Sequence, residues 1–554
     1  MQKTDKSTST PSSSSSISGT STRPRGVRLL IAALSGLLAG LVACMVAVAL
    51  MGILRLVFGI PSPVELFGDF ALKHMSAGQF VHLLIVFAPN SKTAPLGLAL
   101  LGMIGAGTVL GLVYALATRI QPPVADNRPT RREWLTAALL DALMVLTGGI
   151  LFWNELGQNF LGLPIEWARA VTILALLGDF SLYALALCLS YRALLPKLPA
   201  SAKNGSSGRL QGMAPTGRRQ LLARASVAVL GIGGAAGSLG AVKAFLNSYS
   251  SYDGMETFPH NGFTAPITPN SEHYVVTQNA IDPAVALDLW RLEITGLVGQ
   301  SGAYTYNELT SLPSTSRAIT LECISNNISV ASRLMSTAVW QGVPLKTLLD
   351  RHGGAQPGAR YIAFYAVDGY STSLPLDEVL AVDPLVAWRM NGVELPMRHG
   401  FPARVLIPGR YGEENPKWLT RIELTDSFVG GIYADQGWYN GEIYTMSRID
   451  RPTGHVPLGQ PVNVGGIAFA GPRGIQKVEV STDKGLTWHT SILQPPLSPD
   501  AWVFWSWQWT PMLPGTYTLL SRATDGTGAA QTGQLRGAVP HASTGYYHLT
   551  VQVG

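Results

Sequence analysis

The sequence predicts three fold classes in series: an α-helical membrane bundle of five spans, an α+β region, and an all-β sandwich. Three observations carry this. Five apolar runs of spanning length lie within residues 29–247, and about 20 apolar residues cross a bilayer core. Between residues 273 and 449, strand-like runs such as ITLEC, RYIAFYAV and WLTRIEL alternate with short helical ones such as PLKTLLDRHG and PLDEVLAV, which is α+β patterning. Beyond residue 450, period-2 alternation is punctuated by Asp483-Lys484-Gly485, Pro514-Gly515 and Asp525-Gly526, the turn chemistry of antiparallel sheets. Composition fits a membrane chain: of 554 residues only 13% are charged and the mean hydropathy is +0.21, against about 25% charged in soluble domains.

Residues 1–28 are Ser/Thr-rich without apolar periodicity and read as a disordered cytoplasmic tail. They precede the first apolar run by too many polar residues for a cleavable signal. The spans fall at 29–56 and at about 94–117, 134–153, 170–189 and 221–245. The run 80–88 is too short to cross and reads as re-entrant or interfacial. Lys and Arg concentrate before the first span, between the second and third (Arg119, Arg128, Arg131, Arg132) and between the fourth and fifth (Arg192 to Arg219). This alternation places the N-terminus in the cytoplasm and residues 248–554 outside it, at the plasma membrane. It also explains the net charge of +6 without nucleic acid as a partner; membrane lipid is the partner instead. Arg218-Arg219 before the Gly/Ala-rich fifth run resembles a twin-arginine export signal, the route for proteins folded around a cofactor. The plainer reading is a pair of positive-inside anchors with Gly233 and Gly237 for helix packing. Residues 248–272 are Pro-, Gly- and Ser-rich and read as a linker.

Asp141 and Asp179 fall inside the third and fourth spans. Intramembrane carboxylates mark proton relays, or else neutral acids hydrogen-bonded to Ser or Thr. The region of the spans, residues 29–247, holds only His74 and His82, and no CxxCH occurs, so neither a haem nor an iron–sulfur motif is visible. A transporter is disfavoured because no internal repeat or broken-helix pair is evident.

Three cysteines exclude a disulfide scaffold. Cys44 and Cys188 lie in apolar runs, which leaves Cys323, in ITLECISNN, alone in the region outside the membrane. A thiol at a strand end is most often a small buried hydrophobe. Zinc is disfavoured, because a closed site needs several Cys or His at close spacing. A one-cysteine metal site needs other ligands from elsewhere.

The segments YVVTQNAIDPAVALDLWRLEITGLV, TLECISN with AVWQGVPLKTLLD, and GVELPMRHGFPARVLIPGRYGEENPKWLTRIEL resemble, in order, the sulfite-oxidase superfamily of molybdenum enzymes, over about residues 273–540. The resemblance implies a molybdenum–molybdopterin cofactor in a catalytic unit at 273–449, with Cys323 as the metal ligand and a pterin dithiolene supplying further sulfurs. It implies that His399 and Arg404 hold the pterin or its phosphate, and that Asn415, Pro416 and Lys417 add donors. Val275, Val276, Thr277, Gln278 and Asn279 would line the pterin, and Asp368 would contact it. A cofactor carrying phosphate and dithiolene charge matches Arg forks, Lys and backbone N–H groups. Residues 450–554 resemble the immunoglobulin-like dimerisation domain that follows in this superfamily, which implies a homodimer.

The departures concern the substrate. Sulfite enzymes carry an arginine after the cysteine, and here the loop reads Cys323-Ile-Ser-Asn-Asn; a second falls on Thr277-Gln278-Asn279; and the family's catalytic tyrosine falls on Trp438. Without those cations a sulfite dianion loses its charge-assisted contacts. The expectation is a membrane-anchored, extracytoplasmic oxidoreductase performing two-electron oxygen-atom transfer on a small molecule other than sulfite, such as an S-oxide or N-oxide. Cys323 and Trp438 would be its catalytic residues, and a quinone, separate cytochrome or other carrier its electron partner. The alternatives are a sulfite dehydrogenase and, from another class, a non-catalytic binding module on a degenerate cofactor fold.

Overall fold

The computed structural model describes residues 24–86, 93–126, 128–158, 162–197, 264–277, 283, 285–328 and 334–554. The N-terminal region holds helices α1 (Arg25–Phe58), α2 (Pro63–Lys73), α3 (Ala77–Val86), α4 (Thr93–Thr118), α5 (Arg131–Leu151) and α6 (Ile165–Leu194). Among the described residues four helices, α1, α4, α5 and α6, are long and apolar enough to cross a membrane. The five-span expectation is thus met for four; the fifth run, at about 221–245, and Arg218-Arg219 before it lie outside the described residues. Helix α1 begins at Arg25, inside the stretch expected to be a polar tail.

Local sequence explains how these helices start and meet. Ser62 caps α2 in a reciprocal box with Glu65, and Thr130 caps α5 with Glu133. Helices α1 and α4 cross antiparallel through Gly36, Gly40, Gly107 and Gly111, where an added Cβ would fall 2.2–2.9 Å from the facing helix. This is small-xxx-small packing, which lets backbones approach. The Tyr183 hydroxyl of α6 donates to the Gly107 carbonyl at 2.6 Å. Asp141 accepts from the Ser181 hydroxyl at 2.9 Å, bridging α5 and α6; Asp179 is 2% exposed.

The run expected to be re-entrant forms α3, which with α2 makes up the helical connection between α1 and α4. The catalytic region docks on that connection and on the start of α6. Gln436 Nε2 donates to the Leu72 carbonyl at 2.8 Å, Phe80 meets Trp438 edge-on at 6.4 Å, and Arg421 pairs with Glu166 at 3.1 Å. Ala77 is buried in one cluster with Ile324, Tyr411 and Trp438. Residues 264–272, expected as the end of a linker, are pinned: Thr268 N–H donates to Thr337 O at 2.7 Å and Thr264 Oγ1 to Asp450 Oδ2 at 2.7 Å.

The α+β region is built on two sheets. One runs in the order Gly302–Tyr304, Leu292–Gly296, Leu419–Thr425, Tyr361–Ala366, Ser371–Pro375, with the second and third strands parallel. The other is antiparallel: Thr315–Glu322, Met335–Pro344, Leu385–Met390, Val393–Glu394, with Arg404–Leu406 also paired to the third strand. Trp290, Phe364, Trp388 and Trp418 fill a shared core. The C-terminal region has a four-stranded and a five-stranded sheet whose inner faces, among them Val464, Trp505, Val480 and Leu519, make one core. The region is β-rich, as expected, with the two sheets sharing that core.

Candidate active site

Cys323 sits where the strand Thr315–Glu322 ends and turns back. Its N–H donates to Leu334 O and its carbonyl accepts from Asn326 N–H, both at 2.9 Å. The Asn326 side chain closes this loop, donating to Glu322 Oε1 at 2.8 Å and accepting from Leu334 N–H at 3.0 Å. Asn327, at the position where sulfite enzymes carry arginine, is exposed.

The thiol opens on a cavity lined by residues of both sheets and their connections. Val275, Val276, Thr277, Asp368, His399, Arg404, Asn415, Pro416 and Lys417, named above from sequence, all line it with Cys323. Gln278 and Asn279 lie outside the described residues. Trp438 lines a neighbouring, smaller cavity; the aromatic side chains on the wall shared by both are Tyr370 and Tyr433, the latter five positions before Trp438. The fold also brings in residues the sequence reading did not name: His273, Tyr274, Tyr370, Arg398, Gly412, Glu413 and Tyr433. Arg398 and Tyr274 adjoin named stretches and could have been found by reading one residue further; the others carry no local signal.

Packing holds these groups in place. Arg404, 5% exposed, donates Nη1 to His399 O at 3.1 Å and Nη2 to Asn415 O at 2.9 Å, and lies over the Trp340 ring. Asn415 spends its side chain on the backbone, accepting from Ile407 N–H and donating to Tyr411 O. Lys417 Nζ donates to Arg398 O at 3.2 Å. Gly412 has to be glycine, since a Cβ there would meet the Tyr274 hydroxyl at 2.7 Å. His399 Nε2 lies 2.9 Å from Asn270 O and is its donor, which leaves Nδ1 as an acceptor.

Burial dominates the electrostatics. It pushes the Cys323 thiol up to about 12, with Glu413 adding to the rise, so the metal-free thiol stays protonated. It lowers His399 to about 4, helped by Arg404 and Lys417, so that ring is neutral. His273 is held well below the ordinary range by burial and by His399, 5.1 Å away. Glu413 is raised well above it by burial and by Glu414.

Comparison with known proteins identifies the site. Residues 279–433 match the family model "Oxidoreductase molybdopterin binding domain" and residues 446–553 match "Mo-co oxidoreductase dimerisation domain". The chain belongs to the sulfite-oxidase superfamily of molybdopterin oxidoreductases. Among curated relatives in this superfamily, it is 28% identical over 322 residues to nitrate reductase [NADH] 1 of Nicotiana tabacum. It is 30% identical over the same length to nitrate reductase [NADH] of Solanum lycopersicum. Each match covers 47% of this chain and 35% of the relative; the chain thus spans about a third of the length of those proteins. The solved structure of the sulfane dehydrogenase SoxCD from Paracoccus pantotrophus aligns over 52% of this chain and 82% of that one, at 24% identity and a TM-score of 0.46.

The superfamily's cofactor fits the residues present. Arg404 Nε is buried without a partner, and a buried donor in that state needs an acceptor from a ligand or water; His273, whose Nδ1 donates to Tyr274 O at 3.1 Å, leaves its buried Nε2 as an unpartnered acceptor. Arg404, Arg398 and Lys417 converge on one cavity, which suits phosphate and dithiolene charge. Among the described residues no three His, Cys, Asp or Glu side chains converge as a metal site, so a metal at Cys323 takes its remaining ligands from a cofactor.

Proposed function

We propose that this chain is a membrane-anchored, extracytoplasmic molybdenum-cofactor oxidoreductase in which Cys323 ligates the metal. One observation carries the reading: a single buried thiol, Cys323, faces a cavity lined by Arg398, Arg404 and Lys417 in a chain of this superfamily. When bound, the cofactor supplies a two-electron couple for oxygen-atom transfer. The protein's own residues do the rest. Arg404, Arg398 and Lys417 neutralise the anionic cofactor; Gly412 and Tyr274 shape its floor; neutral His399 presents an acceptor at Nδ1. Tyr433 and Glu413 flank the thiol on the substrate side.

No Lys or Arg lies among the residues shared by the two cavities, which supports a substrate other than sulfite. Arg25, Arg131 and Arg192 mark one end of the helices, while Leu72, Phe80 and Glu166 meet the catalytic region at the other. That opposition supports a catalytic unit on the non-cytoplasmic face. The dimerisation-domain match supports a homodimer. Electrons then pass to or from a quinone, a cytochrome or another carrier.

The purified protein is expected to carry molybdenum and pterin, and a thiolate-to-metal charge-transfer band that Cys323→Ser abolishes. A wild-type absorption spectrum in that variant would overturn the ligand assignment. A protein free of molybdenum would favour the binding-module alternative.

A further inference from the structure

Helix α2 carries Glu65, Asp69 and Lys73 at a spacing of four, which sets them along one face. Both ends of that row are paired: Arg55 of α1 meets Glu65 at 2.7 Å, and Lys73 meets the buried Glu155 at 3.2 Å. Asp69, between them, is half-buried. The Gln158 amide donates to its carboxyl, and the charges of Glu65, Lys73 and Asp368 reach it. The other elements packed on α2 bring little charge. Helix α4 has no Lys, Arg, Asp or Glu, Asp435 of the short helix Ile432–Asp435 folds over Gly430, and His74 Nδ1 turns to the Phe70 carbonyl at 2.7 Å.

Gln158 is buried and follows the turn Glu155–Gly157 in the connection from α5 to α6. Its side chain lies flat on Gly369, where φ is +77°: a Cβ there would fall 2.4 Å from Gln158 Cγ and 2.8 Å from its amide nitrogen. The residue before that glycine is Asp368. It is 3% exposed, accepts from the Tyr370 N–H at 3.2 Å, and lines the cofactor cavity. A carboxyl on the membrane side of the seam and a carboxyl of the cofactor cavity thus stand on either side of one buried amide.

Apolar packing accounts for the seam as a whole but not for an acid inside it. A structural acid takes a cation as partner, and Arg55 and Lys73 are committed to Glu65 and Glu155. Burial pushes Asp69 up to about 7 against the Gln158 bond and Lys73, with Glu65 and Asp368 adding to the rise. A carboxyl poised there gains and loses a proton near neutral pH, as a proton-transfer group must. The cavity's chemistry needs such a group. Reduction of an oxide, XO + 2e− + 2H+ → X + H2O, brings two protons to the cofactor for every two electrons, and the reverse reaction releases them. A quinol carrier gives up two protons with its two electrons at the membrane surface, where α2 lies.

We propose that Asp69 passes protons between the non-cytoplasmic membrane surface and Asp368 at the cofactor cavity, with Gln158 as the positioning residue that holds the two carboxyls in line. The membrane domain then takes part in turnover as well as anchoring the enzyme. That the protons serve turnover rests on the oxidoreductase reading above; the exchange of a proton at Asp69 does not.

The test is stopped-flow reduction of the oxidised, purified holoenzyme by reduced methyl viologen, which delivers electrons without protons, on both sides of neutral pH and in water and deuterium oxide. Wild type is expected to slow as pH rises through about 7 and to show a solvent isotope effect. Asp69→Asn keeps the shape of the side chain and is expected to retain its molybdenum, to react about tenfold or more slowly, and to lose the pH dependence. Asp69→Glu is expected to recover both rate and pH dependence. Infrared difference spectra of the same preparations across neutral pH should show a titrating carboxyl that Asp69→Asn removes. Three results overturn the proposal: wild-type rate and pH dependence in Asp69→Asn; a slower Asp69→Asn that keeps the wild-type pH dependence and is not recovered by Asp69→Glu, which is a packing defect; or infrared spectra that Asp69→Asn leaves unchanged. Absence of molybdenum defeats the oxidoreductase reading instead, and the infrared titration can still be measured on that protein.

Discussion

Glu414 shows at a single residue how this site is poised. Burial, with the like charge of Glu378 adding and the cation of Arg410 partly offsetting it, pushes its carboxyl up to about 8, from an ordinary value near 4.3. A carboxyl raised on folding binds more protons in the native state. The resulting stability is full below the unfolded-state pKa and is lost as pH rises through the folded one. Glu414→Gln removes that pH-dependent penalty. The variant's melting temperature is therefore expected to exceed wild type at pH 8 and to converge with it at pH 5, by roughly a few kcal/mol at the alkaline end. A constant offset across that range would show that the carboxyl titrates normally. Nothing in GEENPKW announces this; Glu414 looks like a surface acid until the fold buries it to 1%. Cys323, His399, Arg404 and Lys417 were legible because they lie in contiguous motifs whose order the fold preserves. Tyr433 and Glu413 were not, because they reach the thiol only through tertiary packing. The sequence reading settled on Trp438 for the aromatic role, but the turn after Ile432–Asp435 carries that ring to the next cavity.

At the level of elements, hydropathy was the reliable signal. Four of the expected spans are helices whose limits differ from expectation mainly at polar ends, because length and apolarity are properties a bilayer imposes locally. How those helices pair was also written in the chain, as Gly36/Gly40 and Gly107/Gly111, a spacing the sequence reading noted only at Gly233/Gly237. A side chain at Gly111 would stand 2.2 Å from the Gly36 carbonyl, and so displaces α1 from α4. Gly111→Leu is expected to lower the thermal stability of the detergent-solubilised protein by about 1–3 kcal/mol or more. Gly149→Leu on α5, where a Cβ meets nothing within 4 Å, serves as the control and should stay near wild type. Equal losses in the two variants would mean that helix propensity, not the α1–α4 crossing, sets the effect. The Cys323 loop obeys the same logic on a smaller scale. Asn326→Ala leaves Glu322 and the Leu334 amide without their partner, a change expected to destabilise by about 1–3 kcal/mol. It should also speed alkylation of Cys323 in cofactor-free protein; unchanged alkylation would mean that the loop keeps its shape without the clamp.

Across the whole molecule, α2 and α3 pack with the catalytic region beside the candidate site. The contribution of α3 could not be read from sequence, since a ten-residue apolar helix looks equally suited to lipid or to a protein partner. Its burial settles the point: Ala77 is 6% exposed among Ile324, Tyr411 and Trp438, and the short helix Ile432–Asp435 packs on α2. The exposed ion pair at Glu166, 65% accessible, adds little to this docking; the apolar seam and the Gln436–Leu72 hydrogen bond carry it. A charge placed at Ala77 cannot find a partner there and costs several kcal/mol, so Ala77→Glu is expected to pry α3 from the catalytic face. The readout is amide hydrogen exchange, which should accelerate over residues 431–440 while strand Val462–Phe469 of the sandwich keeps its protection. Gly78→Glu, one residue along where a Cβ meets nothing within 4 Å, should leave both regions unchanged. Unchanged exchange in Ala77→Glu would mean that the catalytic region holds this face together without α3.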